Sequence, residues 1–520
     1  MRLHDMLEYR ARLQPSAPFA RMGDQQLTYA EGDRCANQIA HALLGAGLGR
    51  GDRFGVLAKN SIESILLYYG ASKAGVVPVP LNYRLAPPEW QYILEDAGAK
   101  LVVARGEYAA ALAPVRSKLG AVQSWIGLAT DAEGWTRWDD FLGSQPTTAP
   151  DVAVESDWDL YQMYTSGTTG RPKGAVLSQR AVCSNLHQGA LAIGGKPGER
   201  WLIVAPIYHA AAALTSFMGV QAGGTLVVHE DFAPAAAVGA LAEDDIAVSL
   251  LVPAMIQACL MLVPGVEDRS YDRLRMIIYG ASPIAEKTLA DAMRVFDCDF
   301  IQGYGMTETT AAATYLFPED HRRALDGEAK LLLSAGRALV GTEVRIVDRD
   351  DRPLPVGSVG EVAIRGPQLM SGYWNRPEDS AKALRGGWMH TGDAGMLDDE
   401  GFLYIQDRVK DMIVSGGENI YPREVEEVLF QHPAIADAAV IGVPHEKWGE
   451  SVLGIVVLRE GQTATPEEII AYCKGKLGGY KCPRAIEFID VLPRNPSGKV
   501  LKRELREPYW QGQGRRVAGS

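Results

Sequence analysis

The stretch Tyr164-Thr165-Ser166-Gly167-Thr168-Thr169-Gly170-Arg171-Pro172-Lys173-Gly174 follows a short apolar run and carries four aliphatic hydroxyls, three glycines and a lysine. Glycines let the backbone approach a ligand with its N–H groups turned inward, hydroxyls add donors or metal contacts, and the lysine adds a mobile positive charge. The stretch therefore predicts a loop that holds a triphosphate, with a polar surface turn as the alternative. It is not a Walker loop, because Pro172 stands where that motif would continue with Gly-Lys-Ser/Thr.

Length and composition limit the classes of protein. A chain of 520 residues is too long for one hydrophobic core, so we expect at least two domains. The 47% hydrophobic and 22% charged residues are typical of a globular protein, and the net charge of −12 argues against binding nucleic acid through its phosphates. Six scattered cysteines without C-x-x-C spacing, and an N-terminus without an apolar signal segment, predict a cytoplasmic protein with free thiols.

One uncharged segment, residues 201–228, has the length of a membrane span. Pro206, His209 and the Gly223-Gly224 pair divide it into a strand, a helix of about a dozen residues and a second strand. We therefore expect a buried core unit and no transmembrane segment.

Short apolar runs alternate with helical patterns through most of the chain. Strands are predicted over residues 54–58, 75–79 and 101–103. The helices between them are predicted from Ser61, an N-cap, to about Ala74 and from Pro87 to Ala97. This β-α-β-α-β order predicts parallel strands with right-handed crossovers, and it recurs between residues 201 and 278. The predicted fold class is α/β, with a large N-terminal domain of stacked parallel α/β units.

The pattern changes after about residue 337. Short strands separated by turns predict a small barrel-like β subdomain, over residues 344–348, 360–364 and 401–405. A small α+β unit is predicted beyond it, with helices at 424–430 and 467–476 and strands at 440–442 and 452–457. We place the domain boundary at Lys410, which gives domains of residues 1–409 and 410–520.

A second glycine-rich motif is Gln302-Gly303-Tyr304-Gly305-Met306-Thr307-Glu308-Thr309. A tyrosine between glycines offers a flat face to an adenine base, and Thr307 can donate to a phosphate oxygen. Glu308 is a hard oxygen ligand suited to Mg²⁺. A capped glycine-rich turn is the alternative.

Two further motifs carry residues that could contact a nucleotide. Gly280-Ala281-Ser282-Pro283 leaves room for a flat ligand at the mouth of an α/β sheet. Trp388-Met389-His390-Thr391-Gly392-Asp393 precedes Asp407-Arg408. The Asp393 carboxylate can accept hydrogen bonds from both ribose hydroxyls, and Arg408 can donate to ribose oxygens. An ordinary turn is the alternative for each motif.

In their order, these motifs closely resemble those of the adenylate-forming (AMP-binding) superfamily, which contains acyl-CoA synthetases, luciferases and peptide-synthetase adenylation domains. Arg494-Asn495-Pro496-Ser497-Gly498-Lys499 completes the same pattern. The resemblance covers residues 164–499 and is nearest to bacterial acyl-CoA synthetases of the fatty acid–CoA ligase type. It implies a small C-terminal domain that moves about a hinge and carries the catalytic lysine.

For ATP and magnesium, the resemblance implies a role for each motif. It assigns Tyr304 to adenine, Thr307 to the α-phosphate, and Glu308 together with Thr168 to Mg²⁺. Gln302 stands where relatives often carry Asn or Asp. The residues expected to bind ATP are Thr165, Ser166, Gly167, Thr168, Thr169, Gly170, Lys173, Gly280, Ala281, Ser282, Gln302, Gly303, Tyr304, Thr307, Asp393, Arg408 and Lys499.

The resemblance also implies the catalytic residues, which are Lys499, His209, Thr307 and Glu308. Lys499 is expected to contact the substrate carboxylate and the α-phosphate, where a cation offsets anion–anion repulsion. His209 is expected to position the carboxylate at the edge of the acyl pocket and not to act as a nucleophile. A satisfied core histidine is the alternative for His209.

The second half-reaction is assigned to the C-terminal domain. Gly416 and Gly417 are expected to flank a channel for the pantetheine of coenzyme A, as they do in relatives, and Lys410 occupies the hinge position. Lys481 is expected to meet the CoA phosphates, with a solvated basic face as the alternative. The implied substrates are a small carboxylic acid, ATP with Mg²⁺, and coenzyme A, and relatives are often homodimers.

The class of acid is inferred from charge. Residues 201–229 and 302–316, expected around the acyl pocket, contain one acidic residue, Glu308, and no lysine or arginine. A second substrate carboxylate would lack a partner there, so we expect an acid with a neutral apolar tail and favour a medium- or long-chain fatty acid.

Other functions remain as alternatives. The first are an aryl- or cinnamate-type acid–CoA ligase and an adenylate-forming amide synthetase that uses an amine instead of CoA. A luciferase-like oxygenase would keep the same motifs. A carrier-linked adenylation domain is disfavoured because only 21 residues follow Lys499. A non-catalytic nucleotide-binding protein is disfavoured because Glu308 and Lys499 are both present.

Overall fold

The computed structural model describes residues 1–165, 171–282, 284, 286–408, 411–415, 418–445, 448–474, 476–494 and 500–511. The chain forms two compact units. The first unit contains Met1–Leu332, Gly336–Glu343 and Arg365–Met389. The second contains Leu333–Ala335, Val344–Ile364 and His390–Ser520.

The strands, in chain order, are β1 (Pro18–Met22), β2 (Gln25–Thr28), β3 (Arg53–Leu57), β4 (Val77–Pro80), β5 (Leu101–Arg105), β6 (Ser124–Leu128), β7 (Thr136–Arg137), β8 (Asp159–Thr165), β9 (Lys173–Ser178), β10 (Arg200–Ile203), β11 (Thr225–Val228), β12 (Ile246–Leu250), β13 (Met276–Gly280), β14 (Asp299–Tyr304), β15 (Thr314–Leu316), β16 (Arg337–Ala338), β17 (Glu343–Val347), β18 (Gly360–Arg365), β19 (Gly372–Tyr373), β20 (Met389–Leu397), β21 (Leu403–Arg408), β22 (Ile413–Ser415), β23 (Glu418–Ile420), β24 (Ile435–His445), β25 (Gly449–Leu458) and β26 (Ala485–Phe488).

The α-helices, in chain order, are α1 (Leu3–Leu13), α2 (Tyr29–Gly45), α3 (Ile62–Ala74), α4 (Pro87–Ala97), α5 (Gly106–Arg116), α6 (Trp138–Leu142), α7 (Gln179–Ile193), α8 (Ala210–Ala222), α9 (Pro234–Glu243), α10 (Pro253–Leu262), α11 (Glu286–Phe296), α12 (Pro318–Leu325), α13 (Pro377–Ala383), α14 (Pro422–Phe430), α15 (Pro466–Lys474) and α16 (Lys502–Arg506). Short 3-10 helices lie at Val266–Asp268, Thr307–Thr309, Ala329–Leu333, Arg385–Gly387 and Glu507–Tyr509.

The first unit is built on parallel sheets, as the alternating pattern predicts. The largest sheet has the order β16-β15-β14-β13-β12-β10-β11-β1-β2. Its central strands pair in parallel, and β2, β15 and β16 pair antiparallel at its edges. A second sheet, β4-β3-β5-β6-β7, is parallel throughout. A small antiparallel sheet has the order β19-β9-β8.

Local sequence signals set where the helices that connect the strands of the second sheet begin and end. The Ser61 hydroxyl accepts a hydrogen bond from the Ser64 N–H, and Gly75 ends α3 in the left-handed conformation that glycine adopts without steric cost. Helix α4 begins and ends where the sequence predicts, with proline in its first turn and Gly98 as its C-cap. Trp90 and Leu94 of α4 share one hydrophobic core with β5.

The second unit contains two sheets. The first has the order β17-β18-β20-β21, in agreement with the predicted β subdomain. Thr391, Gly392 and Asp393 lie inside the nine-residue strand β20 and not in a turn. The second sheet has the order β23-β22-β25-β24, with β26 parallel to β25. Strands β24 and β25 span 11 and 10 residues, longer than the predicted runs, because they pair over nearly their whole length.

The uncharged segment of residues 201–228 folds as predicted, with β10 and β11 on either side of the 13-residue helix α8. None of the helices in the described part of the chain has the length and apolar character needed to cross a lipid bilayer.

Candidate active site

The phosphate-loop motif joins two paired strands. Strand β8 ends at Thr165 and β9 begins at Lys173, and these two residues are partners across the antiparallel ladder. The remaining loop residues between them, Ser166, Gly167, Thr168, Thr169 and Gly170, lie outside the described residues. The two flanks of the motif are therefore held at adjacent positions of one hairpin.

Glu308 lies next to the end of strand β8. It belongs to the 3-10 helix Thr307–Thr309 and is only 4% exposed. Its Oε1 atom accepts a hydrogen bond from Tyr373 Oη at 2.7 Å and a longer one from Thr165 Oγ1 at 3.5 Å. The tertiary structure thus brings together two predicted site residues, Thr165 and Glu308, that are 143 positions apart in the sequence.

Tyr373 was not predicted from the sequence. It lies in the two-residue strand β19, which pairs with β9 so that Tyr373 stands opposite Ala175. This pairing carries its hydroxyl to Glu308, 65 positions away in the sequence. A Gly-Tyr pair in an isolated stretch gives no signal for a long-range contact of this kind.

The backbone after Glu308 is strained and held in place. Thr310 has φ of 65° and ψ of −60° and is the central residue of a classic γ-turn, closed by a hydrogen bond from the Ala311 N–H to the Thr309 carbonyl at 2.8 Å, which is a rare and strained conformation. Its hydroxyl donates to the Gln368 carbonyl at 2.7 Å, and Asn185 of α7 exchanges hydrogen bonds with the backbone of Ala312. These buried contacts fix the segment that carries Thr307 and Glu308.

Lys173 is paired in this structure. Its Nζ atom lies 2.7 Å from Asp379 Oδ1 and 5.4 Å from the centre of the Tyr373 ring. Asp379 lies in the first turn of α13 and was not predicted to lie near the phosphate loop. Asp379 thus balances the charge of Lys173 next to the loop. A bound phosphate would compete with Asp379 for the Lys173 ammonium group.

The segments predicted to bind adenine meet at the ends of two parallel strands. Gly280 ends β13 and is the register partner of Gly303 on β14. A side chain at Gly280 would place its Cβ 2.2 Å from the Gly303 carbonyl oxygen, so only glycine allows this approach. Ala281 follows in the left-handed region with φ of 66° and is exposed, with Ser282 beside it.

The β14 side of this edge carries the predicted adenine residues. Gln302 pairs with Tyr279 on one side and Leu316 on the other, and Tyr304 pairs with Thr314. Gln302, Gly303 and Tyr304 are all half-buried. The structure therefore brings Gly280–Ser282 and Gln302–Tyr304 to one sheet edge, as a shared ligand would require.

His209 is the residue before α8, and its ring packs on Tyr208 with ring centres 4.3 Å apart. Its Nε2 atom is buried and has no hydrogen-bond partner among the residues that the structure describes. Burial, and secondarily the positive charge of Arg84, lower the pKa of His209 to about 4. The ring is therefore neutral at pH 7, with one ring nitrogen able to take a ligand hydrogen bond.

The predicted ribose residues lie in the second unit. Asp393, 7% exposed on β20, is the register partner of Arg408 on β21. Glu361 holds the strand beside it, because one carboxylate oxygen accepts from the Gly392 N–H at 3.1 Å and the other lies 3.1 Å from His390 Nδ1. The fifteen-residue spacing between Asp393 and Arg408 is thus the length of one hairpin.

Lys481 also lies in the second unit and pairs with Glu424 of α14. Its Nζ atom donates to Glu424 Oε1 at 2.6 Å, and this hydrogen bond raises the pKa of Lys481. The remaining predicted residues, Lys410, Gly416, Gly417 and Lys499, lie outside the described residues.

The oxygen donors at Glu308 suit magnesium. The Glu308 carboxylate and the Thr165 hydroxyl are hard ligands of the type that Mg²⁺ prefers. Across the described ranges, no group of three or more His, Cys, Asp or Glu side chains is arranged to hold a metal ion. A Mg²⁺ ion at Glu308 would take its other ligands from water and substrate phosphates, which is how this ion commonly binds to nucleotides.

Known proteins resemble this chain over nearly its whole length. The pattern described as AMP-binding enzyme matches residues 7–374, and the AMP-binding enzyme C-terminal domain matches residues 424–499. A fatty acid–[acyl-carrier-protein] ligase, ScoC, of Streptomyces coeruleorubidus is 38% identical over 517 residues, which cover 98% of this chain and 96% of that protein. A feruloyl-CoA synthase of Amycolatopsis sp. is 36% identical over 504 residues, which cover 96% of this chain and 97% of that protein. Among solved structures, a fatty acyl CoA synthetase of Mycobacterium tuberculosis superimposes with a TM-score of 0.79 at 36% identity, covering 99% of both chains.

Proposed function

Because the chain belongs to the AMP-binding enzyme family, as an AMP-forming acid–thiol ligase, we propose that it joins a carboxylic acid to coenzyme A in two steps. In the first, a carboxylate oxygen attacks the α-phosphorus of Mg·ATP, the bond to the β-phosphate oxygen breaks, and pyrophosphate leaves. In the second, the CoA thiolate attacks the carbonyl carbon of the acyl-AMP, and AMP leaves with the electron pair of the broken C–O bond.

The observation that carries this proposal is the position of Glu308. A buried carboxylate is costly unless it is hydrogen-bonded, and Glu308 is held by Tyr373 Oη next to the first residue of the phosphate loop. An oxygen ligand in that position would suit a Mg²⁺ ion bound together with ATP. The first step needs such an ion because both reactants are anions.

We propose an acid with a neutral apolar tail and favour a medium- or long-chain fatty acid. The His209 ring, neutral at pH 7, offers the carboxylate a hydrogen bond without a second charge. The nearby Arg84 does not supply a free cation for a diacid, because its guanidinium lies 3.3 Å from Asp231. The names of two similar proteins, the fatty acid–carrier ligase and the fatty acyl CoA synthetase, support a fatty acid.

A second candidate acid is aryl or cinnamate-like. It is favoured by the 36% identity to a feruloyl-CoA synthase over nearly the whole chain. The same His209 contact would serve an aromatic acid, so the length and shape of the pocket decide between the two.

The acceptor is proposed to be CoA. The alternatives are a thiol on a carrier protein, as in the name of the similar enzyme ScoC, and an amine that takes the acyl group. CoA and carrier proteins present the same pantetheine thiol. These two acceptors are therefore chemically alike, and only an experiment separates them.

The residue roles inferred from the sequence stay part of this proposal. Tyr304 would stack on adenine, Thr307 would contact the α-phosphate, and Asp393 with Arg408 would bind ribose. Lys499 would serve the first step and the glycine pair Gly416-Gly417 the second.

Two different sets of groups are then needed at one acyl-AMP, which is the reason for a domain of residues 410–520 that rotates about Lys410. Lys481 would reach CoA phosphates only after release from Glu424. The free thiols of all six cysteines support a cytoplasmic location, and a homodimer is proposed only by analogy with relatives.

The test is pyrophosphate release from ATP with saturated acids of increasing length and with benzoate and cinnamate types. Each reaction is run with CoA, with a phosphopantetheinylated carrier protein, with an amine and with no acceptor, and products are identified by mass spectrometry. We expect acyl-CoA with the longer saturated acids. Turnover that ignores CoA and yields an acyl-carrier or an amide would reject CoA as the acceptor.

A further inference from the structure

Helix α4 contacts both flanks of the phosphate loop. Tyr92 Oη donates to the Pro172 carbonyl oxygen at 3.0 Å, and Tyr164 Oη donates to Asp96 Oδ2 at 2.7 Å. Tyr164 comes immediately before the loop and Pro172 near its end. Because Tyr92 and Asp96 are four residues apart, they lie on one face of the helix, and one rigid element reaches both ends of the loop.

The hydrogen bond from Tyr164 to Asp96 is charge-assisted and largely buried. The Asp96 side chain is 10% exposed, and its other oxygen accepts a hydrogen bond from Arg376 Nη2 at 2.5 Å. Burial, and next the hydrogen bond to Asp96, raise the pKa of Tyr164, so the hydroxyl keeps its proton and remains the donor. A hydrogen bond to a charged acceptor is stronger and shorter than a neutral one.

Further hydrogen bonds connect Tyr164 to Gln162 on β8 and then to Arg53 on β3. Gln162 Nε2 donates to Tyr164 Oη at 3.2 Å, and Arg53 Nε donates to Gln162 Oε1 at 3.2 Å. The Arg53 guanidinium lies 3.4 Å from the centre of the Trp374 ring. Gly174 leaves room for this arrangement, because a Cβ there would lie 2.5 Å from Gln162 Nε2.

The network also includes the segment that holds Glu308. Arg376 and Trp374 follow Tyr373, whose hydroxyl donates to Glu308. The backbone N–H of Trp374 donates to the Gly174 carbonyl at 2.8 Å. The same set of contacts therefore links α4, both loop flanks and the carboxylate proposed to bind magnesium.

Packing alone does not require these groups. Buried polar networks cost desolvation, and apolar residues of similar volume often stabilise a protein as well or better. Here the polar contacts are placed at Tyr164 and Pro172, the two positions that set where the phosphate loop begins and ends.

We propose that Tyr92 and Asp96 are positioning residues that hold the two ends of the phosphate loop for the β- and γ-phosphates of ATP. This inference rests on the proposed ATP-dependent function. It predicts a selective effect, because adenosine is expected at a different place, the edge formed by Gly280–Ser282 and Gln302–Tyr304. Loss of the α4 contacts should weaken binding of the triphosphate and leave binding of AMP nearly unchanged.

The test uses the full-length chain with Tyr164→Phe, Tyr92→Phe and the double variant. Each change removes one hydroxyl and keeps the ring, and Asp96 keeps Arg376 as its partner. Glu95→Gln is the matched control, because Glu95 is an exposed acid on the same helix and accepts a hydrogen bond from Gln91 at 2.8 Å. Binding of Mg·ATP and of AMP is measured by calorimetry without acid or CoA, together with the thermal unfolding midpoint without nucleotide.

We expect the dissociation constant for Mg·ATP to rise about tenfold in the double variant, because the loop that meets the β- and γ-phosphates loses contacts that position it, while the constant for AMP changes by less than about twofold. Glu95→Gln should match the wild-type protein. Equal weakening of ATP and AMP, or no weakening of either, would overturn the positioning role. If Tyr164→Phe does not fold, Tyr92→Phe alone gives the same comparison.

Failure of the proposed function gives a different result. A wild-type protein that binds Mg·ATP but forms no acyl-CoA would contradict the ligase proposal. The dissociation constants for Mg·ATP and AMP would still be compared between the variants and the wild-type protein. Normal acyl-CoA synthesis with unaltered Mg·ATP binding in the variants would contradict the positioning role alone.

Discussion

The Tyr373 hydroxyl donates to the Glu308 carboxylate at 2.7 Å, and this contact ties a two-residue strand to the residue proposed to bind magnesium. Glu308 is almost fully buried, so Tyr373 compensates for part of the cost of burying its charge. The contact also sets which way the carboxylate faces.

Tyr373→Phe should therefore weaken the use of magnesium. Loss of a hydrogen bond to a charged group costs about 1.5–3 kcal/mol, so we expect the Mg²⁺ concentration for half-maximal pyrophosphate release to rise about tenfold. Glu308→Gln, which removes the ligand charge, should have the larger effect, on the order of 10²-fold in rate. Tyr9→Phe, at an exposed tyrosine, is the control. An unchanged magnesium titration in Glu308→Gln would remove this residue from the metal site.

Lys499→Ala should separate the two half-reactions. We expect adenylation, measured as acid-dependent pyrophosphate release, to slow on the order of 10²-fold or more, because the cation that offsets anion repulsion is lost. Thioester formation from supplied acyl-AMP should be much less affected. Equal losses in both assays would contradict a C-terminal domain that presents different residues in the two steps.

His209→Gln should raise the KM for the acid without changing the shape of the pH profile. Burial lowers the pKa of His209 to about 4, so its ring is neutral throughout pH 6–8 and does not titrate there. The rate of adenylation is measured between pH 5.5 and 8.5 for the wild-type protein and for His209→Gln, and the two pH profiles are compared. Disappearance of an ionisation near pH 6.5 in the variant would mean that His209 acts as a general base or acid.

The same pKa predicts an effect on stability, with its sign set by linkage. Between about pH 6.5 and 4 the unfolded chain binds a proton at residue 209 that the folded protein does not, so the free energy of unfolding falls as the pH falls through this window. Above about pH 6.5 the contribution no longer changes. Urea unfolding at pH 7 and pH 5 should show a smaller difference in His209→Gln than in the wild-type protein, and an equal difference would contradict the lowered pKa.

Gly280→Ala should destabilise the first unit. Its Cβ would lie 2.2 Å from the Gly303 carbonyl oxygen, and a backbone atom in a parallel ladder cannot move away as a side chain can. We expect a loss of about 1–3 kcal/mol or more in the free energy of unfolding, measured in urea. Gly239→Ala is the control, since it has open space inside α9 and should stabilise by about 0.5–1 kcal/mol. Equal midpoints for the two variants would show that β13 and β14 do not approach this closely.

Much of the fold follows from local signals. Helix α4 begins and ends at the predicted residues because a proline, a first-turn glutamate and a C-terminal glycine each act within a few positions. The parallel sheets follow from the alternation of short apolar runs and helices. The lengths of β24 and β25 could not be predicted from local signals. They depend on the pairing of the two strands with each other and not on the composition of either strand.

For the candidate site, the sequence alone determined the motifs and, through the family resemblance, the roles in phosphate, adenine and metal binding that are predicted for their residues. Only the tertiary structure decided which residues support those motifs. Tyr373 reaches Glu308 across 65 positions and Asp96 reaches Tyr164 across 68. Such contacts arise from the order of strands and the packing of helices, and no short stretch of the chain carries the information that sets them.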